Sequence, residues 1–249
     1  MNASTVVRIK HGLTSVEIEA LPEQADRLLN LAQEFGKPES DTIVGEIELF
    51  ALFLEHCVEN IGVLALGVFD AFIRQFCTNG CSIHVAVQEH GLGEESARAV
   101  LRAYYSLWKF DEAKPRYRNV AVSAAPALLA SSSAHLMAMF GGQRGVGNGL
   151  EEASWLLDVY RPLLQDYVLS MSEFLQREAQ DACMSSAYFK GFDVFEWLTH
   201  PEMAPDSQYL RSMPVCLPIT GLTQLMQVMV LYKTLFMSPG ELAGCFKGT

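Results

Sequence analysis

Five glycines crowd the nine residues Gly141-Gly142-Gln143-Arg144-Gly145-Val146-Gly147-Asn148-Gly149. The short apolar run Leu136–Phe140 precedes them and suits a buried strand. A long helical pattern follows, with Leu156, Tyr160, Leu163, Leu164, Tyr167, Met171 and Phe174 on one face. Backbone N–H groups at such a strand-to-helix turn form an oxyanion hole, because glycines let the backbone approach a reacting carbonyl closely. Phosphate sites use the same device. The dinucleotide reading fits poorly. The third glycine of Gly145, Gly147 and Gly149 falls one residue early for GxGxxG, and a helix rather than a second strand with a ribose-binding acid follows.

Other reactive types lack a working arrangement. The chain contains no GxSxG pentapeptide. Ser131-Ser132-Ser133-Ala134-His135 reads as a polar loop edge. His84 and His90 flank Glu89 at the wrong spacing for HExxH zinc ligation, and His56 sits structurally in a helical run. Of the six cysteines, Cys77 and Cys81 have no second Cys/His pair to complete a zinc site. Cys57, Cys183, Cys216 and Cys245 are scattered. Buried, reduced thiols of a cytoplasmic protein are expected.

The bulk composition sets the frame. The 249 residues are 50% hydrophobic, enough for one large or two small cores. With 18 basic and 29 acidic residues the net charge is −11, which argues against nucleic-acid binding. The cations Lys109, Lys114, Arg116 and Arg118 cluster in a polar connector, where an acidic carrier protein or a CoA phosphate could meet them; a solvated linker is the simpler expectation. Residues 1–7 carry no signal-peptide core. Met213 to Tyr232 is uncharged and long enough to span a membrane, but Pro214, Pro218 and Gly221 interrupt it, so a buried core segment is expected and no membrane partner.

The positioning elements follow from periodicity. Strands are expected over Thr5–Lys10 and Val16–Ala20, turning at His11-Gly12. Helices should run from Pro22 to Gly36 and over 43–76 with a break near Asn60-Ile61-Gly62. Asp41 should cap the second of these, and Thr78-Asn79-Gly80 should turn. A short helix from Ile83 ends at His90-Gly91, and another carries Ala97, Val100, Leu101, Tyr104 and Trp108. Pro162 should break the long second-half pattern. Phe192–Leu198 reads as a short helix, Ile219–Met237 as a helix buried all round, and Ser238-Pro239-Gly240-Glu241 as a capping box. The fold class is mostly α with some β: a helical N-terminal region (1–109) with a small strand pair, a linker (110–133), and an incomplete α/β domain (134–249).

Several segments then resemble one family. Met139-Phe140-Gly141-Gly142-Gln143-Arg144-Gly145 resembles the FGGQG loop of acyltransferase domains. Gly191-Phe192-Asp193-Val194-Phe195-Glu196-Trp197-Leu198 resembles a GxxxxxWL segment. Pro201 and Pro205-Asp206-Ser207-Gln208-Tyr209-Leu210 resemble NP…TPDxxYL. Pro214 to Leu225 resembles PxxxPLIGxxQL, with Pro218, Gly221, Gln224 and Leu225 in place. Ser238-Pro239-Gly240-Glu241 and Lys247-Gly248 resemble TPGE…KG. Together these look like the acetyltransferase domain of the fungal-type fatty acid synthase β subunit, with the first 110 residues similar more loosely.

The resemblance implies transfer of an acetyl or other acyl group from CoA to an acyl carrier protein, with the α subunit as partner. It implies that Gln143 supplies an oxyanion-hole backbone donor and that Gly141, Gly142, Arg144 and Gln224 line the substrate site. Arg144 stands where the family has glycine. The family's nucleophilic serine lies in a GHSQG elbow that would begin just past Thr249, with its histidine further on. This chain alone is therefore expected to be inactive, with Cys245–Thr249 as the strand feeding the elbow and apolar surface exposed around Ile219–Phe236. No cofactor is implied within this chain, since the family's flavin and NADPH belong to later domains. A non-catalytic module docking on a fatty acid or polyketide synthase assembly is the alternative.

Overall fold

In the computed structural model, residues 5–11, 14–35, 43–77, 82–110 and 148–245 are described. The chain divides into two compact units, 1–125 and 126–249.

In the first unit, strands β1 (Thr5–His11) and β2 (Thr14–Ala20) form an antiparallel hairpin with Val7 opposite Ile18 and Arg8 opposite Glu17. Alternation does the sorting. Val7, Ile9, Ile18 and Ala20 are buried, while Val6 and Arg8 face solvent. Helices α1 (Pro22–Phe35) and α3 (Leu66–Phe76) pack on the hairpin. Helix α2 (Ile43–Ile61) runs through the middle and packs against α5 (Glu94–Ser106); α4 (Ile83–Glu89) joins α3 to α5.

The expected break between α2 and α3 is present. Gly62 takes φ +57°, a left-handed value that glycine adopts at no steric cost, and a 3₁₀ turn over Gly62–Ala65 follows. The core between these helices is aromatic. Phe50 meets Phe72 edge-on at 5.2 Å, Phe72 stacks on Phe76 at 5.4 Å, and Phe69 tilts against Tyr104 at 5.5 Å. Arg102 of α5 holds Glu55 of α2 through Nε at 2.7 Å and Nη2 at 3.4 Å. A forked, partly buried pair of this kind fixes helix register.

The described part of the second unit is helical: α6 (Asn148–Val159), α7 (Arg161–Ala179), α8 (Val194–Thr199), α9 (Ser207–Leu210), α10 (Met213–Thr234) and α11 (Pro239–Cys245). Pro162 separates α6 from α7 by occupying the first turn of the latter, where its missing N–H costs nothing. The capping box at α11 forms as expected: Ser238 N donates to Glu241 Oε2 at 2.6 Å, and Glu241 N to Ser238 Oγ at 3.2 Å.

Of five further expectations, three fall outside the described residues and two need correction. The strand expected at Leu136–Phe140, the cap at Asp41 and the turn at Thr78-Asn79-Gly80 lie outside the described residues. Cys245 closes helix α11 rather than opening a strand. The helix expected over Ile219–Met237 starts six residues earlier, at Met213, runs through Pro218, and is buried on one side only.

Pro218 survives inside α10 for a specific reason. It has no N–H to give the Pro214 carbonyl one turn back. The Tyr188 hydroxyl donates to that carbonyl instead, at 3.1 Å. Tyr188→Phe should therefore cost about 1 kcal/mol, the net value of one such bond, read as a shift in the urea midpoint at unchanged slope.

By length and composition, Gly45–Phe76 and Met213–Thr234 could each cross a membrane. The first is interrupted by the turn at Gly62 and supplies the core of its unit. The second is helix α10, which buries one side against its unit.

Candidate functional site

Of the residues singled out by sequence, Gly141, Gly142, Gln143 and Arg144 lie outside the described residues, as do Ser131-Ser132-Ser133 and His135. The glycine loop runs into α6, and it is the seating of α6 that the structure describes. Gly149, in the first turn of α6, faces α10 so closely that a β-carbon there would sit 3.6 Å from Ile219 Cγ2. The Thr223 hydroxyl, buried at 4%, donates to the Gly149 carbonyl at 3.2 Å and to Ile219 O at 2.9 Å. The Gln227 amide donates to the Glu152 carboxylate one turn further along. Ile219, Thr223 and Gln227 thus make one face of α10 that fixes the start of α6. Gln224, the remaining candidate, is half-buried on α10 beside Thr223.

A second cluster orders the chain between α7 and α10. Ser172, 2% exposed, donates to Asp193 Oδ1 at 3.0 Å and accepts from Phe195 N at 3.1 Å. Asp193 Oδ1 also accepts from Glu196 N at 3.0 Å and so caps α8. Trp197 packs against Phe192 at 5.2 Å and Tyr209 at 6.4 Å. The Tyr209 hydroxyl donates to the carbonyl of Gly191, whose φ is +75°, at 2.5 Å. Asp206 caps α9 by accepting from the backbone N–H groups of Gln208 and Tyr209, both at 3.0 Å.

Lys190 donates to Asp206 Oδ2, and this hydrogen bond, followed by the Tyr209 N–H, holds the Asp206 carboxyl below its ordinary value. A depressed carboxyl stabilises the fold above its unfolded value, near about 3.9, and that contribution fades as pH falls through the lower folded value. The cap on α9 should therefore weaken, and amide protection over Ser207–Leu210 fall, as pH drops below the ordinary carboxylate range. Lys190→Met should move that loss upward; an unchanged acid profile would show that Lys190 does not hold the carboxyl.

Among the described residues, the histidines and cysteines carry no assembled chemistry. His84 Nε2 lies 2.9 Å from the Tyr105 hydroxyl, and burial lowers its pKa. His90 stacks on Phe76 at 4.9 Å with Nε2 3.4 Å from the Phe76 carbonyl. His56 Nδ1 lies 3.2 Å from the Asn60 amide. Burial pushes the Cys57 thiol up to about 12, far from thiolate chemistry at neutral pH. Among the described residues no three His, Cys, Asp or Glu side chains gather as metal ligands.

Sequence reasoning missed the polar ties. Asp193-Val194-Phe195-Glu196 has capping-box spacing and could have been read as a helix start. Nothing marks Thr223 as the partner of a carbonyl 74 residues away.

Two of the segments that these contacts organise, 191–210 and 214–225, are ones in which the chain resembles the synthase family. No protein-family profile matches the chain. It is 34% identical over 175 residues to the fatty acid synthase subunit beta of Schizosaccharomyces pombe, covering 70% of this chain and 8% of that protein. It is 31% identical over 186 residues to the fatty acid synthase beta subunit aflB of Emericella nidulans, covering 73% and 9%. With the fatty acid synthase subunit beta of Saccharomyces cerevisiae it shares 28% over 242 residues, covering 92% and 12%. The chain belongs to the fungal fatty acid synthase β-subunit family. It spans only 8 to 12% of the length of these relatives.

Proposed function

We propose that the second unit supplies the oxyanion-loop side of a cytoplasmic acyl-CoA to acyl-carrier-protein S-acyltransferase within a fatty acid synthase. The observation that carries this is the seating of α6. Its first turn, immediately after the Gly141–Gly147 loop, is held by Thr223 and Ile219 of the PxxxPxxGxxQL-like segment. Gly149, four residues past the segment that resembles the FGGQG loop, is therefore held through a buried hydroxyl by a second segment that resembles the same family.

In this reading the Gln143 N–H and the N-terminal end of α6 face the thioester oxygen as negative charge develops on it, and Gly141 and Gly142 leave room for the acyl group. The nucleophile comes from outside this chain, from the part of the synthase that carries the serine and its histidine. The carrier protein and the α subunit are the proposed partners, and an acyl-CoA the substrate.

The test is acetyl transfer from radiolabelled acetyl-CoA to carrier protein. The 249-residue chain alone should give none. Co-expressed with a β-subunit polypeptide that carries the GHSQG elbow but lacks the segment matching this chain, it should restore transfer. Gln143→Pro, which removes the N–H donor, should lower the restored rate by about 10² or more. Restoration unaffected by Gln143→Pro would overturn the assignment of the loop.

A further inference from the structure

Two polar side chains are buried among the described residues of the second unit, Ser172 and Thr223. Ser172 ties α7 to the start of α8, 21 and 23 residues on. Thr223 reaches across 74 residues to the first turn of α6. Helix α10 holds three threonines, and each donates to the carbonyl four residues back: Thr220 to Cys216 at 2.8 Å, Thr223 to Ile219 at 2.9 Å and Thr234 to Val230 at 2.7 Å. That is an ordinary bond for a threonine inside a helix. Thr223 differs in sharing its hydrogen with a carbonyl of another element, that of Gly149.

Helix α10 runs alongside α6 in the same direction. Thr223 meets Gly149, Gln227 meets Glu152, and Lys233 donates at 2.5 Å to the carbonyl of Leu163, just past the end of α6. Helices that run the same way align their dipoles and gain nothing from them. Apolar contact is non-directional and fixes an axial position only loosely. A hydroxyl bonded to one carbonyl fixes it within the narrow range of a hydrogen bond. At 4% exposure an unbonded hydroxyl would be destabilising, whereas valine has nearly the same shape and makes no such demand. Threonine suits this position because the bond to Gly149 is made.

We propose that Thr223 is a positioning residue for acyl transfer: its hydroxyl sets the axial position of α6 and, through it, of the Gln143 donor. The proposal rests on the acyltransferase function assigned to this unit above. Thr223 touches no substrate. It acts by holding the helix at whose start the donor loop ends, where a displacement of about 1 Å costs on the order of 10²-fold in rate. That alignment matters as charge develops in the transition state and not in the bound ground state, so turnover falls while KM holds.

The experiment is the transfer assay on the reconstituted transferase, with rates taken per folded complex. Thr223→Val, which keeps the shape and removes the donor, should lower kcat about tenfold with the KM for acyl-CoA unchanged. Thr223→Ser, which keeps the donor and loses a methyl group, should retain most of the wild-type kcat. A role in packing alone reverses that order, because serine leaves a void and valine does not. Thr220→Val, which removes a hydroxyl bonded only within its own helix, should be neutral. A Thr223→Val enzyme with wild-type kcat, or with a raised KM, overturns the proposal. If that variant fails to fold, Thr223→Cys replaces it, since a thiol is a weak donor of similar size. A kcat below that of Thr223→Ser at unchanged KM then supports the proposal, and a kcat equal to it overturns it. Transfer lowered by Gln143→Pro but indifferent to Thr223→Val sinks the positioning role alone. No transfer restored by the wild-type chain sinks the acyltransferase function and the positioning role together.

Discussion

Phe72→Ala should remove about 3–5 kcal/mol from the first unit, the usual cost of emptying an aromatic site in a packed core. Phe72 has no exposed surface, meets Phe50 edge-on and stacks on Phe76. It lies where α2, α3 and the hairpin converge, so neighbours on several elements must all move to close the void. Domain stabilities of about 5–15 kcal/mol leave little after such a loss. Phe72→Leu refills most of the volume and should cost less than half as much. The measurement is denaturant unfolding followed through Trp108, which packs on Tyr105 in the same unit at 5.9 Å. A loss below about 1 kcal/mol would show that the aromatic cluster does not organise this unit.

How much of this was legible depended on whether the signal was local. Gly62, Pro162 and the Ser238–Glu241 box each act through the backbone within one turn, so sequence alone placed the breaks and the cap. The hairpin was legible because alternation at Val7, Ile9 and Ile18 is read two residues at a time. Helix α10 was legible from Ile219 onward, but its exposed side was not, because its apolar residues circle the helix and erase the period that would separate an inner from an outer side. Pro218 also appeared to bar a helix start at Met213, since the donor that rescues the Pro214 carbonyl is Tyr188, 26 residues away. At the site, the family resemblance pointed to Gln143 and Gln224. What seats the start of α6 is Thr223 on Gly149, a contact between distant positions that no spacing rule encodes.

Trp197→Ala should cost the second unit about 3–5 kcal/mol, for reasons that also bear on how the WL segment works. Trp197 is 4% exposed and lies against Phe192 and Tyr209. Tyr209 in turn reaches the Gly191 carbonyl, and Tyr188, which meets Phe192 edge-on at 5.5 Å, holds the Pro214 carbonyl of α10. The tryptophan is therefore the wedge of a cluster that ties the 188–210 segment to α10, the helix that seats the start of α6. Its role is packing, and a packing role makes a distinguishable prediction. Trp197→Phe should recover more than half of the lost stability, because a smaller aromatic still fills much of the site. Amide exchange should then show renewed protection across 188–210. In the reconstituted transferase, the same variant should recover activity in proportion to stability, with the KM for acyl-CoA unchanged. A raised KM in a variant of restored stability would instead place the indole against the substrate, and the buried cluster could not then be its whole role.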